Sequence, residues 1–346
     1  MPGAQVKADL WFSEYITPFD VYQHGVRRVD VVESTAYQDL VIADIGTYGK
    51  ALFLDGKLQC TSGDEALYHE PLCHVPCLLH GSPKNVLILG GGDGGAAREL
   101  LKWDTIQRID IVDIDDQVIQ ACKKHLSVIH HGSLHDPRVK VHATDAWAFV
   151  QKSTDQYDVI LSDLTDPLEH GPSLALFTRE FFLAVKGRLH HDGVFVTQAG
   201  PTSLNESPMH PRIVKTLQAV FASVYPFQAF IPSYGSPQGF AVASDKPLVV
   251  HGDAAVEAVE RLITERLGEA ALRTLDGISF TGLFCLPKDV REQIKREKIV
   301  YSLKQGGFAP DTLPGARAND DDDDDDGNDD GNDRNKAVDS SVSLNR

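Results

Sequence analysis

The sequence predicts an α/β protein in which a mostly parallel sheet carries helices on both faces and follows a small antiparallel β-sheet. Two observations support this class. From residue 85 onward, short apolar segments typical of buried strands alternate with segments of helical periodicity. Before residue 62, apolar and polar residues alternate with the period of half-buried strands. We therefore expect an antiparallel β-sheet domain at 1–64, an α/β domain at 65–304 and a tail at 305–346.

The N-terminal region shows strand alternation at 26–33, 37–43 and 50–54. Asp55 and Gly56 follow, a dipeptide that favours a two-residue hairpin turn because both turn positions need positive φ. A helical pattern then occupies 65–79 and leads out of the predicted antiparallel sheet.

Five segments of the α/β region predict parallel strands: NVLIL (85–89), IDIVDID (109–115), RVKVHA (138–143), YDVILSD (157–163) and GVFVTQ (193–198). Helices predicted from Gly95 and at 118–126 supply crossover connections. Strand patterns at 227–231 and 239–243 are expected to close the sheet as an antiparallel edge. Helical patterns return between 254 and 296, with an interruption at LDGISFTG.

The chain is acidic, and part of its negative charge is concentrated near the C-terminus. The chain carries a formal net charge of −17, and the last 31 residues contribute −7 through eleven Asp against four Arg or Lys. Seven of these Asp form an unbroken run at 320–326 with no apolar face to bury, so we expect a disordered, solvated tail; an acidic docking arm is the alternative. The acidic remainder argues against a nucleic-acid partner and suits a cationic small molecule.

Cysteine usage and hydropathy indicate a cytoplasmic protein. Five scattered cysteines do not suggest a disulfide framework. No apolar run reaches the roughly 18 residues of a membrane helix, and residues 1–20 lack the apolar core of a secretory signal. We therefore expect no membrane association.

A glycine-rich loop follows the first parallel strand. Gly90, Gly92 and Gly95 stand in GxGxxG register between a predicted strand and a predicted helix. Glycines let a ligand approach the backbone closely, and the helix N-terminus is electropositive. Nicotinamide-dependent dehydrogenases and S-adenosylmethionine enzymes share this motif, so the glycines alone leave both classes open.

Carboxylates around the loop favour a positively charged adenosine ligand over NAD. Asp113 ends the next strand, where it can accept hydrogen bonds from ribose hydroxyls. Asp145 and Ala146 follow the third strand, where a carboxylate can accept from the adenine amine. Asp93 lies inside the loop and would repel a pyrophosphate but attract an amine or a sulfonium. A helix N-cap is the alternative interpretation of Asp93.

Asp163 and Asp166 follow the fourth strand, at the sheet edge where open α/β folds place their ligands. Two carboxylates in one short loop suggest acid–base catalysis or cation binding. They could equally form a turn before Pro167.

Taken together, YQD (37–39), LDGKLQCT (54–61), DEALYHE (64–70), GGGDGGAARE (90–99), VDID (112–115), DA (145–146) and DLTDP (163–167) resemble the polyamine aminopropyltransferases, the spermidine synthase family. The resemblance implies a Rossmann-like, methyltransferase-type domain. It also implies transfer of an aminopropyl group from decarboxylated S-adenosylmethionine, used as a co-substrate, to a polyamine, with release of methylthioadenosine. It implies neither a metal nor another cofactor, and a homodimer or homotetramer formed through the N-terminal sheet.

Family roles carry over where the motifs match. The resemblance assigns Asp163 as the catalytic base. It assigns to the donor site Gln38, Gln59, Gly90, Gly92, Asp93, Gly95, Asp113, Asp145, Ala146 and Asp163. It assigns to the acceptor site Tyr68, His69, Asp166 and Tyr234. An acceptor amine with a pKa near roughly 10 must lose a proton, so we expect the pKa of Asp163 to be raised by burial and like charges.

Four features resemble thermospermine synthases more than ordinary spermidine synthases: the long DLTDPLEHGPSLALFT segment, FVTQAGP (195–201), Asp rather than Glu at 113, and LDGISFTGLFCLPK. IPSYGSPQGF (231–240) instead retains a spermidine-synthase pattern. We favour spermidine as acceptor and thermospermine as product, with putrescine as the alternative acceptor.

Other classes fit less well. A methyltransferase would share the donor-site carboxylates, a dehydrogenase would share the glycines, and a polyamine-binding scaffold would keep Asp166 without a base. A metal site formed by His69, Cys73, Cys77 and His80 is not favoured, because one helix cannot wrap four ligands tetrahedrally.

Overall fold

The computed structural model describes residues 8–17, 19–166, 172–203, 208–268 and 270–304. The predicted acidic tail at 305–346 lies outside the described residues. The first sheet is antiparallel, and its strands pair in chain order. They are β1 (Leu10–Thr17), β2 (Asp20–Ser34), β3 (Asp39–Ile45), β4 (Gly49–Leu54) and β5 (Lys57–Thr61).

This sheet has more strands than its sequence pattern predicts. The predicted hairpin is confirmed, since Asp55 and Gly56 have φ of 48° and 74° and join β4 to β5. Strand β1 was not predicted, because its sequence LWFSEYIT clusters apolar residues instead of alternating them. It pairs only with β2, at the edge of the sheet.

The second sheet has seven strands in the order β11-β12-β10-β9-β6-β7-β8. Strands β6 to β10 pair in parallel, while β12 runs antiparallel to both β10 and β11, so the predicted antiparallel edge is confirmed. The strands are β6 (Asn85–Gly90), β7 (Arg108–Asp113), β8 (Val139–Ala143), β9 (Tyr157–Asp163), β10 (Leu189–Pro201), β11 (Ser223–Ile231) and β12 (Ser236–Ser244). This is the predicted Rossmann-like architecture.

Helices cover both faces of the second sheet. They are α1 (Ala66–His80), α2 (Gly95–Leu100), α3 (Asp116–His125), α4 (Ser127–His130), α5 (Ala146–Lys152), α6 (Arg179–Lys186), α7 (Met209–Gln218), α8 (Asp253–Arg266), α9 (Gly277–Leu283) and α10 (Lys288–Arg296). Helices α1, α2, α8 and α9 contribute to the apolar core on one face, and α5, α6 and α7 to the core on the other. Helix α3 packs apolar side chains against the N-terminal sheet, joining the two parts of the chain.

The helical pattern is interrupted between Arg266 and Gly277, so the expected break around LDGISFTG is present at the start of that segment, and α9 occupies the rest of it. Asp276 starts the helix by accepting a hydrogen bond from the Ser279 amide at 2.7 Å, while the Ser279 hydroxyl accepts from the Asp276 amide at 2.7 Å. This reciprocal cap compensates for the glycine and β-branched residues that follow. In the part of the chain that the structure describes, no helix is long and apolar enough to cross a membrane.

Candidate active site

The predicted site residues converge at the carboxyl ends of the parallel strands, where open α/β sheets bind their ligands. Gly90 at the end of β6 stands beside Asp163 at the end of β9 in the pairing register. Asp113 ends the neighbouring strand β7. Helix α1 enters from the N-terminal sheet and adds Tyr68 and His69 to the same region, as the contacts below establish.

The glycines of the loop admit the strand ends closely. Gly90 has a φ of +86°, and a Cβ there would overlap the main-chain oxygen of Asp163. A Cβ on Gly92 would lie 2.7 Å from the Asp113 carboxylate. Side chains at these positions would therefore displace the main chain of Asp163 and the carboxylate of Asp113, which gives the motif a structural reason in addition to ligand approach.

Asp163 is the centre of the arrangement. The Tyr68 hydroxyl donates to its carboxylate at 2.6 Å, from a ring that is 8% exposed. Burial, together with the charges of Asp93 and Asp113, raises the pKa of Asp163 to about 6, although the charge of His69 and the hydrogen bond from Tyr68 lower it. The expected upward shift of this pKa is therefore present, and at neutral pH Asp163 is a carboxylate of unusual basicity.

His69 lies between two carboxylates. Its Nδ1 is 2.8 Å from Glu65 and its Nε2 is 3.9 Å from Asp93. Burial lowers the pKa of His69, but the hydrogen bond with Glu65 and the charge of Asp93 outweigh burial and raise it to about 9. Arg98 donates to the same Glu65 oxygen at 2.6 Å, so an ion-pair chain holds the imidazolium in place.

The ring of His69 packs against the glycine-rich loop, since a Cβ on Gly95 would overlap the imidazole. The sequence grouped His69 with the acceptor residues, and the structure places it beside residues assigned to the donor. Glu65 was not selected from the sequence at all. Its spacing four residues before His69 on one helix is the signal that could have found it.

Asp93 has two roles. One of its oxygens accepts from the Gly95 amide at 2.6 Å, at the first residue of α2, while the other faces His69. The helix N-cap residue itself is Gly94, with φ of +80°. The capping interpretation of Asp93 is thus partly realised, and its second oxygen still faces the site.

Asp113, which the resemblance assigns to the donor site, is held by main-chain amides. Its carboxylate accepts from the amides of Gly92 and Asp115, each at 3.1 Å, and burial raises its pKa. Asp115 is buried and accepts from the Gln38 side chain at 3.1 Å and from the Thr35 hydroxyl at 2.6 Å. Gln38 therefore reaches Asp113 through Asp115, a residue present in the VDID motif that the sequence analysis did not single out.

Asp145 follows β8, the edge strand that pairs with β7. It is the N-cap of α5 and accepts from the Ala148 amide at 2.7 Å. The preceding Thr144 amide donates to the main-chain oxygen of Asp113, which ties this strand end to the donor residues. Ala146 is buried at the start of the helix.

The resemblance also assigns Tyr234 and Asp166 to the acceptor, and both interact with Tyr68. The Tyr234 hydroxyl donates to the main-chain oxygen of Gln59, and its ring centroid lies 6.1 Å from that of Tyr68. The side-chain amide of Gln59 donates to Lys57 at 3.0 Å. Burial and the charge of Asp163 raise the pKa of Tyr68, and the exposed Asp166 adds a smaller contribution of the same sign.

The arrangement can bind a cation and accept a proton. Four carboxylates contribute negative charge to the site: Asp93, Asp113, Asp163 and Asp166. The imidazolium of His69 supplies positive charge beside them. A ligand with positive charge gains from these carboxylates, while a pyrophosphate would be repelled. Within the described ranges, no three His, Cys, Asp or Glu side chains are grouped to hold a metal ion.

Comparisons with known proteins agree with this geometry. A family model described as spermine/spermidine synthase domain matches residues 65–252, and one described as spermidine synthase tetramerisation domain matches residues 10–62. The chain is 42% identical to a polyamine aminopropyltransferase of Synechococcus sp. (strain JA-2-3B'a(2-13)), over 85% of this chain and 96% of the relative. It is 38% identical to a polyamine aminopropyltransferase of Aeropyrum pernix, over 87% and 95% of the two chains.

Solved structures show the same similarity. A spermidine synthase in complex with the transition-state analogue AdoDATO matches with a TM-score of 0.76 at 29% identity, over 84% of this chain and 97% of the other. A spermidine synthase from Thermotoga maritima matches with a TM-score of 0.74 at 29% identity, over 84% and 96% of the two chains.

Proposed function

This chain belongs to the spermine/spermidine synthase family of polyamine aminopropyltransferases, and from that premise we propose that it transfers the aminopropyl group of decarboxylated S-adenosylmethionine to spermidine, giving thermospermine, with Asp163 as the base. The observation that carries the proposal is the Asp163 carboxylate, whose pKa is raised and which accepts a hydrogen bond from Tyr68. It lies beside the glycine-rich loop, where Asp93 and Asp113 are also located.

The reaction balances without a metal or a covalent intermediate. The acceptor nitrogen attacks the methylene carbon bonded to the donor sulfonium. The carbon–sulfur bond breaks, its electron pair remains on sulfur, and neutral methylthioadenosine leaves. The attacking nitrogen gains a carbon substituent and must release a proton, which Asp163 accepts. The remaining requirement is in-line positioning of the two substrates.

We assign the donor to the side of the site formed by Asp93 and Asp113. Their carboxylates favour the amine and the sulfonium of the donor, and the Asp113 carboxylate also suits ribose hydroxyls. Gln38 belongs to this side through its bond to Asp115. Asp145 is proposed for the adenine amine. The remaining donor contacts are assigned to the glycines of the loop, Gln59 and Ala146.

We assign the acceptor to the side formed by Tyr68, Tyr234 and Asp166. The two tyrosine rings suit the methylene chain of a polyamine, and Asp166 suits one of its ammonium groups. We assign His69 to the boundary between the two substrates. Its imidazolium faces Asp93 on the donor side, and its charge lowers the pKa of the proposed base, Asp163.

Spermidine is the proposed acceptor because DLTDPLEHGPS and FVTQAGP resemble the corresponding segments of thermospermine synthases. Residues 167–171, in the first of these segments, lie outside the described residues. Putrescine, which would give spermidine as product, is the alternative. The test is to incubate the protein and donor separately with each acceptor and to separate products against thermospermine and spermine standards. Thermospermine as the main product supports the proposal, whereas efficient conversion of putrescine with little of spermidine contradicts it.

We also propose a homodimer or homotetramer formed through the N-terminal sheet. The match to a tetramerisation domain covers this sheet, and apolar side chains are exposed on β2 and just before it, with Phe19 96% and Val32 63% exposed. Sedimentation at micromolar concentration distinguishes these assemblies from a monomer.

The pH dependence of kcat/KM is expected to report Asp163. With the pKa of Asp163 raised to about 6 in the free enzyme, the carboxylate form required of a base is lost as pH falls through 6, so kcat/KM decreases on the acid side. The Tyr68 hydrogen bond lowers this pKa, so Tyr68→Phe is expected to move the acid limb to higher pH. The measurement is kcat/KM for the acceptor from pH 5 to pH 8 at saturating donor. An unmoved acid limb in Tyr68→Phe would contradict the coupling of Tyr68 to Asp163.

A further inference from the structure

We propose that Asp64 is a positioning residue for acceptor binding, which it serves by fixing the turn that carries Tyr234. This inference rests on the proposed function, since it deepens the acceptor side of the same site. Asp64 lies between β5 and α1 and is 7% exposed.

The carboxylate of Asp64 accepts hydrogen bonds from a neighbouring residue, Thr61, and from a distant one, Ser233. One oxygen accepts from the Thr61 hydroxyl at 2.6 Å and from the Ser233 hydroxyl at 2.9 Å. The other accepts from the Ser233 amide at 2.8 Å. A buried carboxylate whose bonds are charge-assisted holds its partners more firmly than neutral hydrogen bonds would.

Every residue of the three-residue turn Pro232–Tyr234 is bound by the N-terminal part of the chain. The Tyr22 hydroxyl donates to the main-chain oxygen of Pro232 at 3.0 Å. Ser233 is held by Asp64, and the Tyr234 hydroxyl donates to β5 at Gln59. The position of Tyr234 therefore depends on polar contacts with the N-terminal sheet.

Asp64 also fixes the beginning of α1, because its main-chain oxygen accepts from the Leu67 amide at 2.9 Å. The next residue along, Tyr68, donates to Asp163. Every Asp64 variant keeps this main-chain bond, whereas the Asp64 side chain joins the start of α1 to the turn that carries Tyr234. The side chain therefore contributes to the separation between Tyr68 and Tyr234, the two rings assigned to the acceptor chain. No described bond joins Asp64 to Asp113 or Asp145.

The test compares Asp64→Ala, Asp64→Asn and Ser233→Ala with a matched control, Glu70→Ala. Glu70 is a second buried carboxylate, in α1, that holds a distant segment: it accepts from the Arg273 amide at 2.7 Å, and from the Thr274 amide and hydroxyl at 2.8 and 2.6 Å. Its loss removes the same kind of contact from a segment that carries none of the proposed acceptor residues.

Asp64→Ala is expected to raise the acceptor KM about tenfold or more, with the donor KM changed less than about twofold, because small displacements of positioning groups are costly. Asp64→Asn keeps an oxygen that accepts from the Ser233 amide, so a smaller rise is expected. Glu70→Ala is expected to lower the melting temperature without separating the two KM values. Equal changes in both KM values for Asp64→Ala, or the same split in Glu70→Ala, would overturn the inference.

Two further measurements keep the inference separate from the proposed function. Calorimetric affinity for spermidine in the presence of methylthioadenosine needs no turnover: weaker binding by Asp64→Ala supports the positioning role, and unchanged binding overturns it. If Asp64→Ala does not fold, Ser233→Ala provides a milder comparison, because it removes the hydroxyl bond to Asp64 and keeps the amide bond. A smaller weakening of spermidine binding is then expected, and unchanged binding overturns the inference. Wild-type protein that forms no aminopropyl product with either acceptor overturns the proposed function, whatever the binding result.

Discussion

Asp163→Asn is expected to lower kcat about 100- to 10,000-fold, the usual contribution of a positioned general base. Asparagine has nearly the same shape and can still accept the hydrogen bond from Tyr68, so the geometry of the site should persist. What is lost is the acceptor for the proton that leaves the attacking amine. The measurement is the rate of methylthioadenosine release at saturating donor and acceptor.

Donor affinity should change much less than turnover in this variant. Loss of one charge among several is expected to weaken binding within about tenfold, as calorimetry with decarboxylated S-adenosylmethionine would measure. Asp155→Asn is the control, since Asp155 is a half-exposed carboxylate paired with Arg108 outside the site. Turnover by Asp163→Asn near the rate of the control would remove Asp163 as the base.

Gly90→Ala is expected to produce the largest loss of stability among substitutions in the loop. An L-residue at φ +86° is strained by about 1–3 kcal/mol, and the overlap of the new Cβ with the Asp163 main chain adds about 1–3 kcal/mol. The expected loss in free energy of unfolding is therefore about 2–6 kcal/mol. Because the overlap displaces Asp163, turnover should fall as well, even at temperatures where the variant is folded.

Gly132→Ala separates the two contributions. Gly132 has the same φ of +86°, but a Cβ there meets nothing within 4 Å. This control should show only the backbone strain and keep its turnover. Thermal unfolding and activity at low temperature are the measurements. Equal effects on stability and turnover in both variants would show that close approach of Gly90 to Asp163 is unimportant.

The parallel strands and the site edge were predictable because their signals are local. Each of the strands β6 to β10 contains a short apolar run, and Gly90, Asp113 and Asp163 are the last residues of three of them. Once those strands align in parallel, their ends must meet at one edge. Strand β1 was missed because an edge strand partly exposed on both sides need not alternate.

The residues that support the site were not predictable from local pattern. Asp64 acts on Ser233 across 169 positions, and Asp115 acts on Gln38 across 77. Nothing near either carboxylate in the sequence reveals its partner, because the partner is chosen by tertiary packing. Glu65 is the exception, since its i,i+4 spacing to His69 was visible in the helical segment.

The most direct test of the central claim is stoichiometric. Purified protein is incubated with decarboxylated S-adenosylmethionine and spermidine, and methylthioadenosine and polyamine products are quantified together; a parallel reaction contains S-adenosylmethionine instead. Aminopropyl transfer predicts methylthioadenosine and a tetraamine in equal amounts, and no S-adenosylhomocysteine in the parallel reaction. Absence of methylthioadenosine with both spermidine and putrescine, together with S-adenosylhomocysteine formed in the parallel reaction, would contradict the account and indicate a methyltransferase.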